Sequence, residues 1–149
     1  MILIGLPAAG KTSFYRERFA GSHDHMSKDL LGRTRHPSRR QEQLLVESLA
    51  NGRSVVIDNT NASAAVRAPL ITLARAHGAQ VTGYYFPTEP QDALRRNRAR
   101  QGRARVPDAA IFAIRKQLEP PLPAEGFDRL FIVRLNEQAR TFEVEPYSR

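Results

Sequence analysis

The run Gly5-Leu6-Pro7-Ala8-Ala9-Gly10-Lys11-Thr12 directly follows the short apolar segment Met1–Ile4 and has the spacing of a phosphate-binding P-loop. Gly5 and Gly10 let the backbone turn tightly, so that successive N–H groups can face a β-phosphate. Lys11 then reaches the β- and γ-phosphate oxygens, and the Thr12 hydroxyl can bind Mg²⁺. A glycine-rich turn without a ligand is the alternative, but the strand before the run and the helix after it are the context that phosphate binding requires. The motif therefore predicts binding of a nucleoside triphosphate.

A helix is predicted to begin at the end of this run. Its free N–H groups and the positive end of its dipole add to the attraction for an anion. The residues that we expect to bind the nucleotide phosphates are Gly5, Pro7, Ala8, Ala9, Gly10, Lys11, Thr12 and Ser13.

Apolar runs alternate with helical patterns along the chain, which indicates βα units around a parallel sheet flanked by helices. The predicted strands cover residues 1–5, 23–26, 54–58, 80–86, 130–135 and 141–144. The predicted helices cover residues 11–19, 38–50, 63–77, about 90–101, and 107 to the prolines that begin at 120. In the helix over 63–77, Val66, Leu70, Leu73 and Ala74 are expected to face the core, and Pro69 indicates that its regular part begins near there.

The length of 149 residues is that of one ordinary domain, so we expect a single domain over residues 1–149. The chain has no cysteine, which excludes disulfides and thiolate metal sites and suits a reducing cytoplasm. No apolar run approaches the roughly 18 residues of a membrane span. The apolar start is also too short for a signal peptide. We therefore expect a cytoplasmic protein with no membrane partner and no disulfide partner; the sequence is silent on oligomeric state.

Asp29 follows the weak strand pattern over 23–26. Open α/β sheets place substrate-facing residues at the carboxyl ends of their strands. A carboxylate there could accept the proton of an attacking hydroxyl. Equally, Ser27 or Asp29 could cap a short helical turn over Leu30-Leu31. The spacing alone favours neither interpretation.

Asp58 closes the β-branched strand Val55-Val56-Ile57 and precedes Asn59-Thr60-Asn61. That is the Walker B position, where an acid binds Mg²⁺ or its water. A turn rich in Asx residues is the alternative explanation of this cluster. The four histidines have no partners at metal-ligand spacing, and we expect them to be surface residues.

Arginine accounts for most of the formal net charge of +8, which favours a polyanionic partner. One group lies in 33–40, and the other comprises Arg95, Arg96, Arg98, Arg100, Arg103 and Arg105. Phosphoryl transfer needs cations over the γ-phosphate, and a flexible lid can deliver them. A solvated helix face is the alternative for the second group, but its arginines have few acids at helical spacing to pair with.

These elements, in this order, resemble the polynucleotide kinase family, particularly the kinase half of the bifunctional polynucleotide kinase 3′-phosphatases. The likeness covers almost the whole chain. The segments that carry it are the P-loop, Ser27-Lys28-Asp29-Leu30-Leu31-Gly32, Val55-Val56-Ile57-Asp58-Asn59-Thr60-Asn61, Asn97-Arg98-Ala99-Arg100, Arg115-Lys116-Gln117-Leu118-Glu119-Pro120-Pro121 and Ala124-Glu125-Gly126-Phe127. Ser27 and Lys28 stand where the family has Asn-Arg, and Ala99 replaces an aromatic residue. No Asp-x-Asp-x-Thr phosphatase motif is present, so the resemblance implies kinase activity alone.

The resemblance implies a role for each matching residue. Asp29 would be the general base toward a 5′-hydroxyl, and Arg98 and Arg100 would hold the ATP phosphates. Arg33 and Arg35 lie near the position of a substrate-phosphate arginine. The remaining expected substrate residues are Asp58, Asn59 and Asn61, and the expected Mg²⁺ ligands are Thr12 and Asp58.

The sequence thus predicts a P-loop NTPase kinase fold of the α/β class, with an Arg-rich lid over about residues 98–106 and a short tail over about 145–149. Lys11, Asp29, Arg98 and Arg100 are the expected catalytic residues, and the expected cofactors are ATP and Mg²⁺. The expected substrate is the 5′-OH end of DNA or RNA. A kinase of a small alcohol, such as a nucleoside, sugar or antibiotic, and a nucleotide-gated binding module without turnover remain open as alternatives.

Overall fold

A computed structural model describes residues 1–148 of the chain. The strands are β1 (Ile2–Gly5), β2 (Asp24–Met26), β3 (Val55–Asp58), β4 (Thr82–Phe86), β5 (Arg129–Asn136) and β6 (Thr141–Pro146). The helices are α1 (Lys11–Arg18), α2 (Pro37–Ala50), α3 (Ala64–Ala76), α4 (Pro90–Arg98) and α5 (Asp108–Gln117). Single turns of 3-10 helix lie at Lys28–Leu30, Gly102–Ala104 and Pro123–Glu125.

The six strands form one sheet in the order β2-β3-β1-β4-β5-β6. The first five strands are parallel, and β6 pairs antiparallel with β5. An antiparallel partner needs only a short connection, whereas parallel neighbours need a crossover. The predicted α/β fold with helices flanking a mostly parallel sheet is confirmed. Over residues 1–148, no helix combines the length and apolar character that crossing a membrane requires.

The central strand β1 is buried on both of its faces. Ile2 and Ile4 pack on one side of the sheet with Leu45 of α2 and Leu70 of α3. Leu3 points to the other side and belongs to the cluster around Phe14 of α1. Packing on both faces fixes the end of β1, from which the P-loop continues.

The inward face of α3 differs from the expected one. Val66 is 47% exposed, whereas the neighbouring Arg67 is fully buried. The guanidinium of Arg67 is paired with the carboxylate of Glu125 over 2.8 and 3.0 Å, which makes its burial tolerable. Pro69 lies inside the helix, which already begins at Ala64 because the side chain of Ser63 caps it. The expectation that the regular helix begins near Pro69 is therefore wrong.

The observed ends of two elements also differ from the predicted ones. The helix α4 ends at Arg98, before the expected position near residue 101. The strand β6 continues to Pro146, so the first residues of the expected tail over 145–149 belong to the sheet. The backbone N–H of Tyr147 then donates to the carbonyl of Leu130, which holds the chain beside β5.

Candidate nucleotide and phosphoryl-transfer site

The P-loop connects β1 to α1 with two residues in the left-handed region. Ala8 has φ of 64° and Gly10 has φ of 99°, and Gly10 is the N-cap of α1. At Gly5 a Cβ atom would lie 3.0 Å from Cβ and 3.1 Å from O of Phe86, so a side chain there would crowd β4 where β1 passes it. The first N–H groups of α1 have no partner within the helix and point out of its N-terminus, as an anion site requires.

Lys11 is buried against the P-loop that contains it. Its Nζ donates to the carbonyl oxygens of Gly5 at 2.9 Å and Leu6 at 2.6 Å. Burial lowers the pKa of Lys11 to about 8, while the carboxylate of Asp58 acts in the opposite direction. The ammonium group therefore lies among carbonyl oxygens at the anion site, and an arriving phosphate would compete with them for it.

Asp58 joins three elements at the carboxyl edge of the sheet. The Thr12 hydroxyl donates to Oδ2 of Asp58 over 2.6 Å. Nε2 of His25 lies 2.8 Å from the same oxygen, and the His25 ring stacks on Tyr15 with a centroid distance of 4.1 Å. The expectation that all four histidines are surface residues is wrong for His25, because the parallel pairing of β2 with β3 brings it to Asp58.

Asp29 lies on the 3-10 turn Lys28–Leu30, just after β2. The hydroxyl of Ser27 accepts a hydrogen bond from the Asp29 backbone N–H at 3.3 Å, so Ser27 is the residue that caps the turn. The exposed Asp29 carboxylate forms no hydrogen bond with another residue between 1 and 148. Of the two residues that could have capped the turn, Ser27 takes this role and Asp29 keeps its carboxylate free.

The two asparagines after Asp58 lie in different environments. Oδ1 of Asn59 accepts from the Lys28 backbone N–H at 2.9 Å, and its Nδ2 donates to Gln41 at 2.7 Å. Asn61 is 3% exposed, and its Nδ2 donates to the carbonyls of Leu3 and Ile57. The structure thus places Asn61 beneath the site, where it holds the ends of β1 and β3 together.

Of the two lid arginines expected to be catalytic, Arg100 lies near the other charged groups. Burial lowers its pKa, and the carboxylates of Asp58 and Asp29 act in the opposite direction, which places all three within electrostatic range. Arg98 instead points to Asp108 at 3.4 Å, with 62% of its side chain exposed. Within the described residues Arg98 has no hydrogen bond to the P-loop.

A different arginine contacts the P-loop. Nη1 of Arg96 forms a long hydrogen bond of 3.4 Å to the carbonyl of Ala8, and its Nε donates to Glu137 at 2.6 Å. Arg95 donates to both oxygens of Glu137 and to Asp92. Sequence reasoning missed Arg96 and Glu137 as a pair, because Glu137 reaches α4 only through the β5–β6 connection and no local spacing signals it.

A cavity of about 320 Å³ lies beside the contact of Arg96 with the P-loop, and its lining includes Gly10, Ser13, Leu135 and Phe142.

On the other side of the site, Arg33 and Arg35 lie exposed in the loop before α2, and Arg39 and Arg40 lie exposed in the first turns of α2. We call these four residues the acceptor-side arginines. They form no ion pair with any residue that the structure describes.

Solved structures share this architecture. The gluconokinase of Sinorhizobium meliloti 1021 is 18% identical, with a TM-score of 0.65 over 91% of this chain and 82% of that chain. Kti12 of Chaetomium thermophilum, solved in complex with ADP-AlF3, is 16% identical, with a TM-score of 0.62 over 93% of this chain and 91% of that chain. A fungal RNA kinase is 14% identical, with a TM-score of 0.66 over 89% of this chain but 37% of that chain.

At these identities the likeness shows the fold, which is that of P-loop kinases. The family model of the AAA domain matches residues 1–121, a range that includes the P-loop, the Asp29 turn, Asp58 and both lid arginines. This match covers most of the sequence, and the chain therefore belongs to the AAA domain family.

Proposed function

We propose that this chain is an ATP-dependent kinase that transfers the γ-phosphate of ATP to the 5′-hydroxyl of a DNA or RNA end. The hydroxyl oxygen forms a bond to the γ-phosphorus as the bond to the β–γ bridging oxygen breaks, and ADP leaves. The hydroxyl proton passes to the carboxylate of Asp29. One phosphoryl group and one proton are thus transferred, and no oxidant or further reactant is needed.

The P-loop would hold the phosphates of ATP. The N–H groups at the start of α1 supply hydrogen bonds, and Lys11 exchanges its bonds to Gly5 and Leu6 for phosphate oxygens. The cavity beside Gly10 and Phe142 leaves room for the nucleoside. Arg96 lines the same cavity and donates a long hydrogen bond to the Ala8 carbonyl of the loop.

The Thr12–Asp58 pair fits Mg²⁺. A hydroxyl and a carboxylate are the hard oxygen donors that this ion prefers, and it usually keeps waters and phosphate oxygens as its other ligands. A bound Mg²⁺ would neutralise charge on the phosphate oxygens. His25 holds the carboxylate of Asp58 in the direction of the P-loop.

Asp29 and Arg100 would act on the reacting groups. Over residues 1–148 the Asp29 carboxylate forms no hydrogen bond, so it can accept the proton of an approaching hydroxyl. Arg100 lies within electrostatic range of Asp29 and Asp58, where a guanidinium stabilises charge on the transferred group. The resemblance to polynucleotide kinases supports these roles for both residues.

The local group of arginines that follows the Asp29 turn carries the assignment of a polynucleotide acceptor. The arginines Arg95, Arg96 and Arg98 of α4 are each paired with an acid. In contrast, the acceptor-side arginines form no ion pair in the described part of the chain, and residues 30–41 contain no Asp or Glu. Unpaired guanidinium groups next to the proposed base favour an acceptor that carries several phosphates.

A small alcohol is the second candidate acceptor, because the gluconokinase structure matches 91% of this chain and is itself covered over 82% of its length. The test is transfer from labelled ATP·Mg²⁺ to a panel of 5′-OH oligonucleotides of increasing length, nucleosides and sugars, with KM measured as a function of salt. A polynucleotide kinase gives a KM that falls with oligonucleotide length and rises with salt.

The Arg39→Ala/Arg40→Ala double variant should raise the oligonucleotide KM and flatten its logarithmic salt dependence by up to about one unit per lost phosphate contact. The matched control is Arg16→Ala/Arg129→Ala, which removes the same charge from two exposed arginines, one on α1 and one on β5, that form no ion pair in the described part of the chain. If KM depends on salt with the same slope in the wild type, the double variant and the control, the polynucleotide acceptor is rejected. Transfer to sugars alone would establish a small alcohol as the acceptor. ATP binding without transfer to any acceptor would indicate a binding module.

A further inference from the structure

Both ends of the Asn59 side-chain amide have partners in two other elements. Its Oδ1 accepts from the backbone N–H of Lys28 at 2.9 Å, in the turn that carries Asp29. Its Nδ2 donates to Oε1 of Gln41 at 2.7 Å, on α2. The two ends of an amide cannot exchange roles, because a backbone N–H can only donate. These bonds therefore fix the orientation of the Asn59 amide.

The side chain of Gln41 is buried in the protein interior. It is 3% exposed, although glutamine is usually a surface residue, and it directly follows the acceptor-side Arg40 on α2. Its Oε1 takes the hydrogen bond from Asn59, which a buried amide oxygen needs. Gln41 thus ties the position of Asn59 to the helix that presents the acceptor-side arginines.

The turn that carries Asp29 is held by two hydrogen bonds to consecutive N–H groups. Ser27 accepts from the N–H of Asp29, and Asn59 accepts from the N–H of Lys28. The Ser27 bond is local, whereas the Asn59 bond connects the turn to the residue that follows Asp58. Since Asp58 is bonded to Thr12, the Asn59 bond sets where the Asp29 turn lies relative to the P-loop.

Asn59 also lies on a loop that is fixed from below. The buried guanidinium of Arg67 donates to the carbonyls of Asn61 and Ala62 at 2.8 and 3.0 Å. The same guanidinium is paired with Glu125 over two bonds. Because this loop is fixed, the position of Asn59 is defined, and its hydrogen bond to Lys28 can hold the Asp29 turn in place.

We infer that Asn59, oriented by Gln41, is a positioning residue for Asp29, which sets the distance of this carboxylate from the phosphates at the P-loop. The inference rests on the proposed function. It adds to the expectation that Asn59 contacts the substrate, because each end of its amide has one partner within the protein and keeps capacity for a second. Small displacements of a catalytic group are costly: a misplacement of 1 Å can reduce rates by about 10²-fold.

The test is a double-mutant cycle between Asn59→Ala and Asp29→Asn, with kcat and both KM values measured on the accepted hydroxyl substrate. Asn59→Ala should lower kcat by at least about tenfold with the KM for ATP unchanged, because the P-loop is untouched. In the Asp29→Asn background the further loss should shrink to less than about twofold, since a base that is absent cannot be misplaced. Equal fractional losses in the two backgrounds would overturn the inference.

Two further variants keep the test decisive if Asn59→Ala is poorly folded. Asn59→Asp keeps an acceptor for the Lys28 N–H and should recover part of the lost kcat. Gln41→Met removes the acceptor of Asn59 Nδ2, so that only the Lys28 N–H holds the amide, and should reproduce part of the loss. Asn51→Ala is the matched control, because among residues 1–148 its side-chain amide bonds only to the Glu47 carbonyl, at the other end of α2. A kcat of Gln41→Met equal to the wild-type value would contradict the proposed role of Gln41.

Hydrogen exchange provides a readout that does not need turnover. In Asn59→Ala the amide of Lys28 should exchange faster while the amides of β1 keep their protection. Unchanged exchange at Lys28 would overturn the inference whether or not the protein is a kinase. A wild-type protein that phosphorylates no hydroxyl would reject the proposed function, whereas an active one with additive losses rejects the inference alone.

Discussion

The hydroxyl of Thr12 donates a 2.6 Å hydrogen bond to Oδ2 of Asp58, which joins the start of α1 to the end of β3. The two residues are 46 positions apart in the sequence, and the parallel pairing of β1 with β3 brings them together. A carboxylate and a hydroxyl are oxygen donors of the kind that Mg²⁺ prefers, and the proposed function assigns this pair to that ion.

Thr12→Val removes the hydroxyl with little change in volume. We expect kcat to fall by at least about 10²-fold and the Mg²⁺ concentration for half-maximal activity to rise, because one cation ligand and one orienting bond to Asp58 are lost. The measurement is turnover against Mg²⁺ concentration. Thr72→Val, in an exposed position of α3, is the matched control. An unchanged Mg²⁺ dependence would exclude Thr12 as a ligand.

Lys11→Ala should reduce turnover by at least about 10²-fold while the protein stays folded. The ammonium group acts on phosphate charge, and its bonds in the free protein are to two carbonyls of its own loop. Calorimetric ATP titration and thermal melting separate binding from folding. Lys116→Ala on the exposed face of α5 removes the same charge away from the P-loop. Near-normal turnover in a folded Lys11→Ala protein would show that the P-loop assignment is wrong.

Asp29→Asn keeps the shape of the side chain and removes the base. We expect kcat to fall by about 10²-fold or more, with ATP affinity and melting temperature little changed. Ser27→Ala tests the capping role separately, because it removes the hydroxyl that accepts from the Asp29 N–H and leaves the carboxylate in place. If Asp29→Asn loses activity only in proportion to its folded fraction, the carboxylate has a structural role instead.

Arg100→Ala should lower kcat more than Arg98→Ala does. Arg100 lies within electrostatic range of Asp29 and Asp58, whereas Arg98 is paired with Asp108 in solvent. A group that stabilises charge in the transition state lowers kcat when removed, by about 10²-fold in comparable sites. Parallel kinetics on the two variants decide between them. Equal losses would mean that the lid rearranges so that both arginines reach the phosphate.

The ion pairs of Glu137 with Arg95 and Arg96 connect the end of β5 to α4, and their strength depends on pH. Hydrogen bonds from Arg95 and then Arg96 lower the pKa of Glu137 from 4.5 to about 2. Because the folded-state pKa is the lower one, this stabilisation is fully present above pH 4.5 and is lost as the pH falls toward 2. The difference in melting temperature between the wild type and Glu137→Gln should therefore be constant near neutral pH and shrink below pH 4.5.

Glu47→Gln, on the exposed surface of α2 and without an ion pair in the described part of the chain, is the control for this measurement. It should show no such convergence with the wild type. A gap between the wild type and Glu137→Gln that persists at low pH would mean that the contact acts through packing and not through charge.

The sequence by itself determined the elements of this protein whose signals are local. The P-loop, its strand and its helix follow from a spacing in which glycine supplies the turn and an apolar run supplies the strand. The alternation of strands and helices predicted the parallel sheet, because hydrophobic periodicity reports which face each segment buries. Position at the end of a strand was enough to single out Asp29 and Asp58, since parallel strands end at one edge of the sheet.

The tertiary structure alone decided which side chains meet across the sheet. The contact of His25 with Asp58, the bridge from Gln41 through Asn59 to Lys28, and the tie of Arg96 to Glu137 join segments distant in sequence. Strand order and register create these contacts, and neither leaves a local pattern. The burial of Arg67 also escaped prediction because its acceptor, Glu125, lies 58 residues away. Hydrophobic periodicity predicts which face of a segment is buried. The residues that this face contacts are known only from the assembled sheet.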